Sequence, residues 1–153
     1  MYEFDPATKA FLESGGLAAQ VGSADPDGRP QIAAAWGPRA NGDGTISVFL
    51  DTARAGRTLA NLAMNRNIAL IVADAISYRS VQFKGEWLAT AVPTDDEREW
   101  VQRHREVFAS NLALVGDSPA AIRNLWMEET TRIDFAVRAA FDQTPGPQAG
   151  QPL

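Results

Sequence analysis

Thr52–Val72 reads TARAGRTLANLAMNRNIALIV. It leaves one apolar run, Ile46–Leu50 (ISVFL), and enters another, Ile68–Val72 (IALIV). Between them come Arg54 and Arg57 around Gly56, then Leu59, Leu62 and Ala63 at helical spacing. The order is strand, cationic turn, short one-faced helix, strand. Asn65-Arg66-Asn67 closes the helix. This layout suits an anion: backbone N–H groups at a helix start are unpaired and partly positive, and arginine adds a planar charged fork. The same residues also fit a solvated turn before a surface helix, because isolated loop arginines usually face water. Both readings stand on this stretch alone.

Upstream, two turn signals divide the chain. DPDG (Asp25–Gly28) and NGDG (Asn41–Gly44) separate Leu17–Ala24, Pro30–Gly37 and Thr45–Asp51. That predicts a three-stranded meander. Before it, Asp5-Pro6 starts a helix that runs to about Ser14, and Gly15-Gly16 ends it. Downstream, Tyr78–Val92 alternates apolar and polar residues as one long strand bent at Gly85. Thr94-x-x-Glu97 is a capping box for a helix whose inner face is Trp100, Val101, His104, Val107 and Phe108. Asp117-Ser118-Pro119 opens another helix, with Ile122, Leu125 and Trp126 expected to be buried. Thr130–Phe141 is the last strand, and a Pro/Gly-rich tail follows. The fold class is mainly β with flanking helices (α+β): a small, mostly antiparallel barrel of six or so strands. Residues 1–141 are expected to form one domain and 142–153 a tail.

Composition narrows the partners. The chain has 153 residues, 45% hydrophobic, with a net charge of −5. A chain this acidic is a poor general binder of nucleic acid, so any anion site must be local. No run reaches the ~18 apolar residues of a membrane helix. The N-terminus MYEFDPATKAFLESGG lacks a basic-then-apolar signal. There are no cysteines, which rules out disulfides, thiolate metal sites and cysteine nucleophiles and fits a reducing cytoplasm.

Few constellations carry chemistry. His104 is the single histidine, and no donor cluster accompanies it, so a metal site is not expected. Asp95-Asp96-Glu97 sits where acids favour a positive helix start, and Glu128-Glu129 also lies at a helix end. There is no Gly-x-Ser-x-Gly, and neither nucleotide fingerprint is present. Trp36, followed by Gly37, reads equally as core or as the wall of a pocket for a flat ring. Ser80 and Gln82 share one face of their strand, where a hydroxyl and an amide could read the edge of a heterocycle or simply face water.

Taken in order, F-L-D-T-A-R-A-G-R-T-L-A-N-L-A-M-N-R-N-I-A-L and Y-R-S-V-Q-F-K-G resemble motifs of the pyridoxamine 5′-phosphate oxidase-like flavoproteins, the FMN-binding split β-barrel family. The likeness spans roughly Phe11–Phe141, and the D-Q-T-P-G-P tail is similar to that of a bacterial subgroup. The resemblance implies a homodimer with FMN at the subunit interface, acting as an oxidoreductase on a small-molecule substrate or electron donor; with no secretion signal and no cysteines, a cytoplasmic location is expected. Arg57 matches a phosphate-binding arginine. Thr58 stands where the family often has lysine, and Arg54 is the reserve cation. Ser80 matches a polar flavin contact, with Gln82 on the same face. Residues 33–36, which include Trp36, match the strand beside the ring, and Phe49 and Leu50 match backbone contacts. The tail lacks the basic residues that the vitamin oxidase uses for its substrate, so a different substrate is expected. The alternatives are a deazaflavin in place of FMN, or a carrier of flavin without turnover; haem is weaker, with His104 as the only axial candidate.

Overall fold

The computed structural model describes all residues, 1–153. Its elements are α1 (Pro6–Leu12), β1 (Ala18–Ala24), β2 (Pro30–Ala40), β3 (Thr45–Asp51), α2 (Thr52–Asn65), β4 (Asn67–Ala73), β5 (Ser80–Ala91), α3 (Asp95–Leu114), α4 (Pro119–Arg123) and β6 (Thr130–Asp142). The six strands close into a barrel in the order β1-β2-β3-β6-β5-β4, and every pairing is antiparallel. The expected split barrel with flanking helices is therefore the fold.

Strand alternation builds the interior. Val21, Ile46, Val48, Leu70, Val72, Phe83, Ile133 and Phe135 are fully buried inside the barrel. On β5, Val81, Phe83 and Gly85 point in, while Ser80, Gln82 and Lys84 take the outer face. The expected bend at Gly85 is a bulge in the β5–β6 register. A Cβ there would lie 2.1 Å from the carbonyl oxygen of Ala136, so only glycine fits. β2 runs past the predicted end at Gly37. Gly37 has φ +53°, its register with β3 shifts between Trp36 and Arg39, and pairing then resumes to Ala40. The bulge carries the chain past Pro38, which has no N–H to give a ladder.

Three further expectations need correction. The cationic turn is not a loop: α2 begins at Thr52, directly after β3, and holds both arginines. Alanine and arginine are strong helix formers, and nothing at Thr52-Ala53 breaks the helix before Gly56. Leu125 is exposed, because α4 is a single short helix that ends before it, whereas Trp126 turns back onto Trp36. Val107, expected on the inner face of α3, is also partly exposed, at 41%.

α3 starts with the predicted capping box: Glu97 N–H donates to Thr94 Oγ1, and Thr94 N–H donates to Glu97 Oε2. It packs on the outside of β2, where Trp36, Phe49 and Val101 make a second, smaller core with Trp100, Phe108 and Trp126. α2 packs on β1, β2 and β3, with Ala55 and Leu62 reaching the main core. No helix is long and apolar enough to cross a membrane.

Candidate functional site

α2 gives its two arginines different surroundings. Arg54 donates to the Leu125 carbonyl at 3.3 Å and lies 3.8 Å from Asp51 Oδ2. Arg57, one turn on, is exposed and forms no ion pair or hydrogen bond within the chain. Thr58, the next residue, is turned into the core. It is 0% exposed and its hydroxyl has no partner, so it is enclosed by the core and is not offered to solvent.

Ser80 and Gln82 lie on the outer face of β5, as the alternation predicted. Ser80 is held tightly by its neighbours. Its N–H donates to Thr144 Oγ1 at 3.1 Å, its carbonyl accepts from Gln143 N–H at 2.8 Å, and its hydroxyl donates to the Tyr78 carbonyl at 3.1 Å. The tail that follows β6 is thus docked against the start of β5. Gln82 makes no side-chain hydrogen bond within the chain and is half-buried. Around the barrel from Gln82, the register places Ile71, Gln20 and Ala34; from Ser80 it places Ala73 and Ala18. Ser80 has small neighbours in Ala73 and Ala18, whereas Gln82 lies between Ile71 of β4 and Phe141 of β6. Further along this face a groove of about 490 Å³ runs over Gly22, Ala24, Ile32, Ala69, Lys84 and Arg138.

Phe49, Leu50 and Trp36 are enclosed. Leu50 points into the barrel, and Phe49 points outward under α3. The Trp36 indole N–H donates to Asp51 Oδ1 at 3.1 Å, and its ring packs edge-on against Phe108 and Trp126. Between the two alternatives left open by the sequence, Trp36 is a core residue of the second cluster. No hydrogen bond or ion pair joins the α2 arginines to Ser80 or Gln82.

Two residues missed by the sequence reading organise this region. Asp51 is 2% exposed and Arg105, from α3, is 4% exposed. They pair at 2.6 Å. Arg105 also bonds the Met127 carbonyl at 3.0 Å and lies over the Trp36 ring, 4.9 Å from its centroid. Burial pulls the Arg105 pKa down, and the Asp51 carboxylate opposes that pull. A signal for Arg105 was available: it follows Val101 by four residues and precedes Phe108 by three, so it shares their face. His104 beside it is buried, with Nε2 donating to the Leu17 carbonyl at 2.9 Å. Burial pushes its pKa down to about 4, and Arg105 adds to that. No group of three or more potential ligand side chains is arranged to hold a metal ion.

A family model described as pyridoxamine 5′-phosphate oxidase matches residues 4–131. The chain belongs to this family. Its barrel is also found in HupZ of Group A Streptococcus, at 17% identity and a TM-score of 0.58, with 97% of this chain and 100% of that one covered. An F420 reductase aligns at 20% identity and a TM-score of 0.55, covering 89% and 98% of the two chains. An FMN-binding protein of Syntrophomonas wolfei subsp. wolfei aligns at 14% identity and 0.51, covering 88% and 82%. At these identities the likeness is one of fold. No curated protein matches the chain at a significant level of sequence similarity.

Proposed function

We propose that this chain is an FMN-dependent oxidoreductase acting on a small molecule other than pyridoxamine 5′-phosphate. The observation that carries the reading is Arg57: an exposed arginine with no partner in its own chain, at the position that the sequence resemblance matches to a phosphate-binding arginine. The remaining donors fit the rest of such a ligand. Gln82 has a free amide, which can both donate to and accept from a heterocycle edge. Ser80, fixed by Thr144 and Gln143, offers a hydroxyl on the same face. Arg54 is the second cation near the phosphate end. The enclosed Thr58 hydroxyl is not counted among these contacts.

Bound flavin supplies hydride or electron transfer at its ring. The protein's part is to anchor the phosphate with Arg57, orient the ring edge with Gln82 and Ser80, and shield one ring face with the outer wall of the barrel. In this reading two copies of the chain complete the site, in a bacterial cytoplasm. Residues 1–141 act as the binding domain, and the 142–153 tail braces Ser80.

A visible-spectrum titration with FMN tests the reading. Saturable binding is expected, with two flavins per dimer by light scattering; no binding at tens of micromolar overturns it. Reoxidation of the reduced complex by an added acceptor separates an enzyme from a carrier. A deazaflavin is the second reading. It is favoured by Lys84 and Arg138 along the groove beyond Gln82, which would suit a longer anionic tail. Titrating both cofactors side by side decides between them.

A further inference from the structure

Asp51 stands at the cap position of α2, yet its side chain makes no capping bond. An aspartate there ordinarily folds its carboxylate back onto the second or third amide of the helix. Here the carboxylate is turned away. Oδ1 accepts from Arg105 at 2.6 Å and from Trp36 Nε1 at 3.1 Å. Oδ2 has no hydrogen-bond partner and lies 3.8 Å from Arg54. Arg105 is locked in place by Trp36, by Trp126 and by the Met127 carbonyl.

Stability alone is a poor explanation for this arrangement. Desolvating two charges offsets most of their attraction, and an apolar pair could fill the same space at least as well. What the pair achieves is control of a charge. Asp51 is the only acid between Asp43 and Asp74, the stretch that contains both α2 arginines. Left to itself, its carboxylate would satisfy the helix start and compete there with any incoming anion.

We propose that Arg105 is a positioning residue for the phosphate of the bound flavin. It holds the Asp51 carboxylate against Trp36 and off the α2 amides, and it leaves Arg57 and the amides after Thr52, whose own N–H is bonded to the Glu129 carbonyl, to the phosphate. The proposal rests on the flavin reading above.

FMN and riboflavin differ only by the phosphate, so the ratio of their affinities isolates it. Both are titrated by flavin fluorescence against the unaltered protein, Arg105→Gln, Asp51→Asn and the double variant. The unaltered protein is expected to prefer FMN. Arg105→Gln should lose about three- to tenfold of that preference, the usual weight of one charge at a helix start, while riboflavin affinity holds. The double variant should regain the preference, because the freed side chain no longer carries charge. A merely structural arginine would weaken both ligands together, and the double variant would not recover; that result overturns the proposal. Should Arg105→Gln fail to fold, Asp51→Asn decides: a preference kept or raised supports the proposal, and a preference lost overturns it. Absence of FMN binding by the unaltered protein removes the flavin reading and this proposal together. FMN preferred equally with and without Arg105 removes this proposal alone.

Discussion

Arg57 and Thr58 are adjacent in the chain, yet one is exposed and the other enclosed, and two substitutions follow from that. Arg57 has nothing to hold it but solvent, so Arg57→Ala should leave the fold intact. A charge-assisted contact to phosphate is worth about 1.5–3 kcal/mol, so FMN affinity should fall about ten- to a hundredfold with riboflavin affinity unchanged. Equal FMN affinity in fluorescence titration would move the phosphate elsewhere, with Arg54 first in line. Thr58 is enclosed with an unpaired hydroxyl. Replacing that oxygen by a methyl group removes an unmet hydrogen-bonding demand, so Thr58→Val should be neutral or stabilising and should leave FMN affinity alone. A lower thermal midpoint, or a loss of FMN affinity above about threefold, would show the hydroxyl at work. The sequence named both residues but could not orient them, because the run was read as a loop, and a loop has no inside face.

At the scale of elements, α3 is fastened to the barrel by His104, whose ring donates to the carbonyl just before β1. Its pKa is held at about 4 in the fold, against an ordinary value near 6.5, chiefly by burial. In the folded state the ring therefore stays neutral where the unfolded chain would protonate it. Between pH 6.5 and 4 the unfolded state binds the extra proton, so stability falls as pH falls through that window and is complete above it. The full swing is about 3 kcal/mol. Urea unfolding at pH 7 and pH 4.5 should show the loss, and His104→Gln, which keeps a donor, should flatten the dependence. A dependence of the same slope in the variant would place the responsible group elsewhere. The elements themselves were largely legible, because turn pairs, caps and alternation are local signals. DPDG, NGDG and the Thr94–Glu97 box all stand where they were read. What local signals could not carry was partnership across the chain. Arg105 meets Asp51 and Thr144 meets Ser80 over long separations, and neither pairing leaves a periodic trace.

For the whole molecule the deciding feature is closure. β5 is central to that closure, pairing with β4 over residues 80–86 and with β6 over residues 81–91. It must therefore bend, and the bend falls at Gly85, where the β6 pairing slips register. The inward side of that bend is filled by Phe135, and the Ala136 carbonyl comes so close that an added methyl would overlap it. Backbone oxygen cannot rotate aside as a side chain can, so Gly85→Ala must push β5 and β6 apart. Overpacking of this kind costs about 1–3 kcal/mol where side chains can yield, and a backbone clash belongs at the upper end. Chemical denaturation of Gly85→Ala should show a loss of about 3 kcal/mol, against little change for Gly28→Ala beyond the strain of its turn, since nothing lies near that position. Lys84 lines the outer groove immediately beside the bulge, so the same variant should also disturb whatever binds along that face. Full stability in Gly85→Ala would mean that β5 bends elsewhere and that the barrel closes by a different register.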